Sequence, residues 1–109
     1  MTGLEAFGAL DLRVGRIVSA EPLAGARKPA YKLTIDLGPL GTKASSAQIT
    51  DLYTLPDLVG RLVVCAVNLG VRRIAGFESE ALVLGLPDEA GRVVLLAVER
   101  EVPLGGRVY

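Results

Sequence analysis

Apolar residues in this chain recur at every second position, in short runs that each stop at a glycine or proline. In YKLTIDLGP, Leu33, Ile35 and Leu37 alternate with Lys32, Thr34 and Asp36 before Gly38-Pro39. This period lines up apolar groups on one face of a strand, whereas a helix stripe would repeat every three to four residues. DLRVGRIVSAEPL starts with the same alternation at Leu12 and Val14 and then changes phase after Gly15, which predicts a bulge or strong bend at that glycine in a long first strand. TKASSAQI is a shorter, more polar strand. RLVVCAVNLG, almost continuously apolar between Gly60 and Gly70, reads as a strand buried on both faces, and SEALVLGL and GRVVLLAVE complete the series.

Helix enters only in two places. In QITDLYTLPDLVG, Thr50 or Asp51 is placed to cap one helical turn, and Pro56-Asp57 to begin another that Gly60 ends. At the N-terminus, Leu4, Phe7 and Leu10 fall near one face of a short helix, which either caps its own barrel or faces a partner. Five or six short strands with a helical piece after the third suit an all-β, five-stranded OB-type barrel. At 109 residues the chain holds one core, so residues 1–109 are expected to form a single domain.

The residues absent from the chain exclude much chemistry. It has no histidine, which rules out Ser-His-Asp and Cys-His nucleophilic sites and the usual zinc sets of His with Cys. Asp11, Asp36, Asp51 and Asp57 sit beside turns or strand ends, where aspartate is structurally favoured, and no phosphate-binding glycine loop follows a strand. The expectation is a protein with no catalytic residues, no cofactor and no metal. The lone Cys65, among apolar neighbours, reads as a small core residue. No apolar run approaches the roughly 18 residues that span a bilayer, and the first residues lack the pattern of a signal peptide. A cytoplasmic protein without membrane insertion is expected.

Lysine plus arginine and aspartate plus glutamate balance at 12 each, yet the charges are segregated along the chain. Arg13 to Lys43 carries a net +4, Arg61 to Arg73 has three basic residues and no acid, and Glu78 to Glu101 carries a net −4. If the first two segments share a face, a neutral protein presents a basic patch. Arg72 and Arg73 stand out because they share a short glycine-bracketed loop, Gly70 to Gly76, in which the backbone can approach a ligand closely. Phosphates are the natural target of such a segment. Only five aromatics are present, with Phe77 and Tyr31 the surface candidates, too few for a base-stacking platform. The pattern fits a folded RNA read through phosphates and 2′-hydroxyls, with Lys43, Ser45, Ser46, Gln48 and Asn68 as polar contributors. Ser45-Ser46 reads equally well as a strand-edge pair.

DLRVGRIVSAE, YKLTIDLG, SSAQIT, LVVCAVNL and RRIAGFESEALVLG resemble the tRNA-binding domain found at the C-terminus of some methionyl-tRNA synthetases and in endothelial monocyte-activating polypeptide. The similarity runs from about Asp11 to the end. ARKPAYKL together with SSAQIT is most similar to the CsaA type, stand-alone bacterial members described as export-related chaperones. The resemblance implies an OB fold and a homodimer held by N- and C-terminal extensions, here MTGLEAFGAL and EVPLGGRVY. It places RNA contacts on Asn68, Arg72, Arg73, Ser79 and Glu80, with Lys32, Ser46 and Gln48 from the facing strands. Related tRNA binders often carry Lys-Pro-Arg-Lys-Met-Arg-Gly where this chain has Gly70-Val71-Arg72-Arg73-Ile74-Ala75-Gly76, which implies weaker tRNA affinity. Two readings follow from the resemblance: a tRNA-binding module, or an export chaperone that holds peptide segments of unfolded precursor proteins in apolar surface pockets.

Overall fold

Helix α1 (Gly3–Ala9) leads into β1 (Leu12–Pro22), β2 (Tyr31–Asp36) and β3 (Thr42–Ala47); α2 (Leu55–Leu58) then precedes β4 (Leu62–Ala66). Five short strands follow: β5 (Arg72–Ile74), β6 (Phe77–Ser79), β7 (Leu82–Val83), β8 (Gly85–Pro87) and β9 (Val93–Leu95). The computed structural model describes all residues, 1–109. One antiparallel sheet takes the order β3-β2-β1-β4-β7, and β5-β6 and β8-β9 form separate hairpins. The sheet curls into a nearly closed five-stranded barrel of the OB type, all-β apart from the two short helices, as the alternation implied.

Barrel curvature is concentrated in β1. Leu12–Arg16 pairs with β4, and Arg16–Pro22 pairs with β2, so this one strand serves both sides of the barrel. Gly15 is buried where β1 crosses closest to its neighbour. A Cβ there would lie 2.5 Å from Cγ2 of Ile35 and 2.8 Å from Cδ2 of Leu37, which makes glycine a requirement of close packing. The expected bulge exists, but three residues later. The β1–β2 register slips between Ile17 and Ser19, leaving Val18 as the extra, exposed residue. Gly15 supplies the close approach and Val18 the added twist.

The core consists of the inward positions that the alternation marks: Ile17, Leu33, Ile35, Leu37, Val63 and Cys65 are all essentially inaccessible. Helix α2 adds Leu58 from one end of the barrel. It begins after Thr54, whose N–H donates to the Asp57 carboxylate at 3.0 Å, and not at Thr50 or Asp51, which lie in the preceding turn. Pro56, with its φ already helical, sets that start. The C-terminal segment covers the free edge of early β1: Val14 N–H donates to Gly106 O at 3.0 Å, Gly105 N–H to Val14 O at 2.8 Å, and Val108 N–H to Leu12 O at 2.9 Å. An edge left bare would be open to pairing with other chains.

Tyr53 ties three parts of the barrel together. Its hydroxyl accepts from Leu95 N–H at 3.0 Å, its carbonyl accepts from the Tyr31 hydroxyl at 2.8 Å, and the Arg61 guanidinium lies 5.0 Å from its ring centroid. Tyr31, expected at the surface, is therefore half-buried with its hydroxyl engaged; the aromatics with most exposure are Phe7 and Tyr109, near the termini. Tyr53→Phe leaves the part-buried Leu95 N–H without its acceptor, and a loss of about 1–2 kcal/mol in urea unfolding is expected.

Candidate nucleic-acid interface

The barrel closes between β3 and the segment Ser79–Ala81 through a seam in which side chains supplement backbone bonds. The Ser45 hydroxyl donates to Ala81 O at 2.7 Å, and the Ser79 hydroxyl accepts from Ser46 N–H at 2.9 Å. The Glu80 carboxylate accepts from Ala44 N–H at 3.1 Å, while Glu80 and Ala81 N–H both reach Ala44 O, at 2.8 and 3.2 Å. Ser45 and Ser79 are buried, and their polar groups are satisfied inside the seam. The adjacent serines thus divide by strand parity: Ser45 turns inward to the seam, and Ser46 turns outward.

From this seam the β5–β6 hairpin projects over the outer face of β3. Arg72 and Arg73 are part of a strand, a correction to the loop inferred from the flanking glycines: Arg72 pairs with Ser79, Arg73 with Glu78 and Ile74 with Phe77. The turn is Ala75-Gly76, with φ of 50° and 79°. Two-residue hairpin turns with positive φ at both central positions match the twist of the strands they join. Gly76 suits that conformation; Ala75 is held in it at a cost of about 1 kcal/mol. Gly76 and Gly70 therefore serve backbone conformation, since both have positive φ and open space beside Cα.

Between this hairpin, β3 and the β1–β2 loop lies a cavity of about 510 Å³, lined by Arg27, Lys28, Ser46, Gln48, Arg72 and Arg73 among others. Alongside it is a second cavity of about 510 Å³ with an apolar lining that includes Leu69, Val71, Ile74, Leu82, Val83 and Val93. Seven of the chain's basic residues (Arg13, Arg16, Lys32, Arg73, Arg92, Arg100 and Arg107) have a carboxylate within 4.0 Å. Arg27, Lys28, Lys43, Arg61 and Arg72 have none, and three of these five line the first cavity. Arg73 meets Glu78 across the hairpin at 2.9 Å, an exposed pair that an incoming anion can displace at little cost.

Several residues singled out from sequence are thus brought together: Ser46, Gln48, Arg72 and Arg73 line the polar cavity, and Ser79 and Glu80 line the apolar one from the seam. Lys32 is the register partner of Ser46 on β2 and lies 3.5 Å from Glu21. Lys43 is not brought to the cavity, because it sits three residues before Ser46 and so on the other face of β3. Asn68 is turned toward the N-terminus: its Oδ1 accepts from Asp11 N–H at 2.9 Å and its Nδ2 donates to Ala9 O at 2.8 Å. Arg27 and Lys28 were not singled out, although two adjacent cations in the glycine- and proline-bounded GARKP were a visible signal. Burial pushes the Cys65 thiol up to about 11, which keeps it protonated among its core neighbours.

Residues 12–107 match the family described as "Putative tRNA binding domain". The crystal structure of the chaperone CsaA from Bacillus anthracis is similar at 50% identity and a TM-score of 0.93, covering 100% of this chain and 99% of that one. The CsaA chaperone protein from Picrophilus torridus is similar at 39% identity and a TM-score of 0.92, with 100% of both chains covered. The methionine–tRNA ligase of Methanoculleus marisnigri is 40% identical over 96 residues, which are 88% of this chain and 14% of the ligase. The chain thus spans about a seventh of the length of the curated relatives it matches.

The seam is directly testable. Ser45→Ala leaves the buried Ala81 carbonyl without its hydroxyl donor, and the expected cost is about 1–3 kcal/mol in denaturant unfolding. Faster amide exchange in Ala44–Ser46 and Glu80–Ala81 than in β1 would locate the damage at the seam.

Proposed function

The chain belongs to the tRNA-binding domain family, and from that membership we propose that it is a non-catalytic module, residues 1–109, that binds folded tRNA on the face under the β5–β6 hairpin. The observation that carries this reading is the convergence of cations without carboxylate partners on one cavity of an otherwise neutral protein. Arg72 and Arg73 take phosphates, with Lys32 at the border, and the free side chains of Ser46 and Gln48 take 2′-hydroxyls or phosphate oxygens. Ser79 and Glu80 act through the seam by holding the hairpin in place, and Asn68 by holding the N-terminal segment. Lys43 is left outside the contact surface. A cytoplasmic location follows from that reading.

We further propose a homodimer. Helix α1 has seven residues and buries none of them, with Leu4 83% and Phe7 43% exposed. A helix this short is marginal without tertiary packing, even with its Thr2–Glu5 capping box. It is anchored beside the C-terminal segment, since Arg107 donates to Gly8 O at 2.9 Å, so the exposed α1 and Tyr109 are joined in one terminal surface suited to a second copy.

A second reading is favoured by the apolar cavity. Leu69, Val71 and Leu82 are all more than half exposed or close to it, with Arg72 at the rim. An extended peptide segment of an unfolded precursor protein fits such a site, in line with the two similar structures, both of CsaA chaperones.

Salt separates the readings. In a gel shift at two salt concentrations, Arg72→Ala with Arg73→Ala should weaken tRNA binding by about tenfold or more and lower the salt slope by about two. Unchanged tRNA binding would overturn the RNA reading, while suppression of client aggregation that survives the same substitutions would support the peptide reading. Sedimentation should report about twice 11.4 kDa for wild type and a species near 11.4 kDa for Leu4→Asp with Phe7→Asp.

A further inference from the structure

The β5–β6 hairpin has two roots of unequal strength. Its second strand runs into the seam, where Ser79, Glu80 and Ala81 are hydrogen-bonded to β3. Its first strand is reached through residues 69–71, which are exposed and outside any helix or strand, with Gly70 at a φ of +90°. The β1–β4 ladder ends at Leu12 opposite Ala66, and one more backbone bond runs from Val67 N–H to Asp11 O at 2.9 Å. Asn68 is thus the last anchored residue before Arg72, and it is anchored through its side chain.

Both ends of that amide hold the N-terminal segment. Oδ1 accepts from Asp11 N–H at 2.9 Å, and Nδ2 donates to Ala9 O at 2.8 Å. Ala9 O is one of the terminal carbonyls that a helix leaves unpaired, and its neighbour Gly8 O accepts from Arg107 at 2.9 Å. The C-terminal end of α1 is therefore held by two side chains, while the helix buries no residue of its own. A seven-residue helix on these terms opens readily unless something covers it. When α1 opens, Ala9 O leaves Asn68, residues 69–71 lose their anchor, and the hairpin is held at the seam alone.

We propose that Asn68 is a latch that passes the state of α1 to the β5–β6 hairpin. A covered α1 keeps the latch closed and Arg72 and Arg73 in place over β3; an open α1 frees the hairpin to move. The cover rests on the homodimer reading above, with a second copy seated on Leu4 and Phe7. That copy needs a folded α1 and so binds the closed state, and a ligand of the ordered hairpin favours the same state. The two events then assist each other by one common factor. Asn68 has both polar ends of its side chain committed to the N-terminal segment, so it is a positioning residue that acts through the hairpin.

Amide hydrogen exchange of the full chain reads the latch directly and without RNA, so it stands apart from the RNA-binding reading. The variants are Asn68→Ala, Leu4→Asp with Phe7→Asp, Arg107→Ala, and Asn68→Ala joined to each of the other two, all checked for an intact sheet by circular dichroism. Asn68→Ala is expected to speed exchange in the hairpin, Arg72–Ser79, by about tenfold, the effect of one or two lost hydrogen bonds, with the β1–β2 ladder unchanged. The two helix-side variants should act in the same direction and no more strongly. Joined to Asn68→Ala, neither should add anything, because a cut latch has nothing further to pass on. Hairpin exchange in Asn68→Ala equal to wild type overturns the latch. Additive effects in the joined variants overturn the transmission, since the two changes would then loosen the hairpin independently. If wild type sediments near 11.4 kDa, the dimer reading fails and the second copy is not the cover. Arg107→Ala, with and without Asn68→Ala, then decides the latch by the same two criteria.

Discussion

The candidate site depends on the seam where the barrel closes. β3 and the segment after β6 do not form a regular ladder; Ser45, Ser79 and Glu80 bridge the gap with side-chain hydrogen bonds that a backbone pair would otherwise make. Because those bonds are buried or half-buried, losing one leaves an unpaired polar group in a low-dielectric setting, so the seam is held to one geometry. The β5–β6 hairpin springs directly from it. Its position over β3 therefore rests on this seam, on Ser45, Ser79 and Glu80 together with the backbone bonds to Ala44 O, and not on the arginines that line the cavity.

Most of the barrel was legible because period-two alternation survives wherever one face of a strand is buried. β1 to β4 appear where the apolar runs place them, and Gly60 and Pro56 bound α2 as their backbone preferences require. The failures have a common physical cause: a sequence pattern reports which side a residue faces, but not which partner it meets. Ser45 and Ser46 look alike in sequence, and only strand parity against a closing segment some 36 positions later sends one inward. Gly15 marked a special backbone position correctly, but the register slip fell on Val18, because a glycine can serve close packing without interrupting pairing. Arg27 and Lys28 were missed for the same reason. Their loop is adjacent to the hairpin only after the barrel has curled.

Charge follows the same logic. A sequence count gives zero, and the segregation along the chain shows only that a basic patch is possible. In the fold, carboxylates are assigned to cations all over the surface: Asp11 faces Arg13 and Arg107, Glu101 faces Arg16, and Asp88 faces Arg92. Each exposed pair contributes little stability. Their collective effect is electrostatic: they offset positive charge elsewhere and leave five cations unpaired, of which Arg27, Lys28 and Arg72 converge on one cavity. Focused charge in a concave site attracts an anion more strongly than the same charge spread over a sphere.

The two cavities beneath the hairpin share walls. Ser46, Gln48, Arg72 and Ile74 line both, so the polar cleft and the apolar groove adjoin along β3 and β5. Arg73 borders the polar space alone, while a ligand in either space lies against side chains that also bound the other. Simultaneous occupation would require the same hairpin to satisfy a polyanion and an apolar peptide segment at once. On the two readings proposed for this face, RNA and peptide would be coupled ligands, and because linkage is reciprocal, whatever factor one imposed on the affinity of the other would be returned in full.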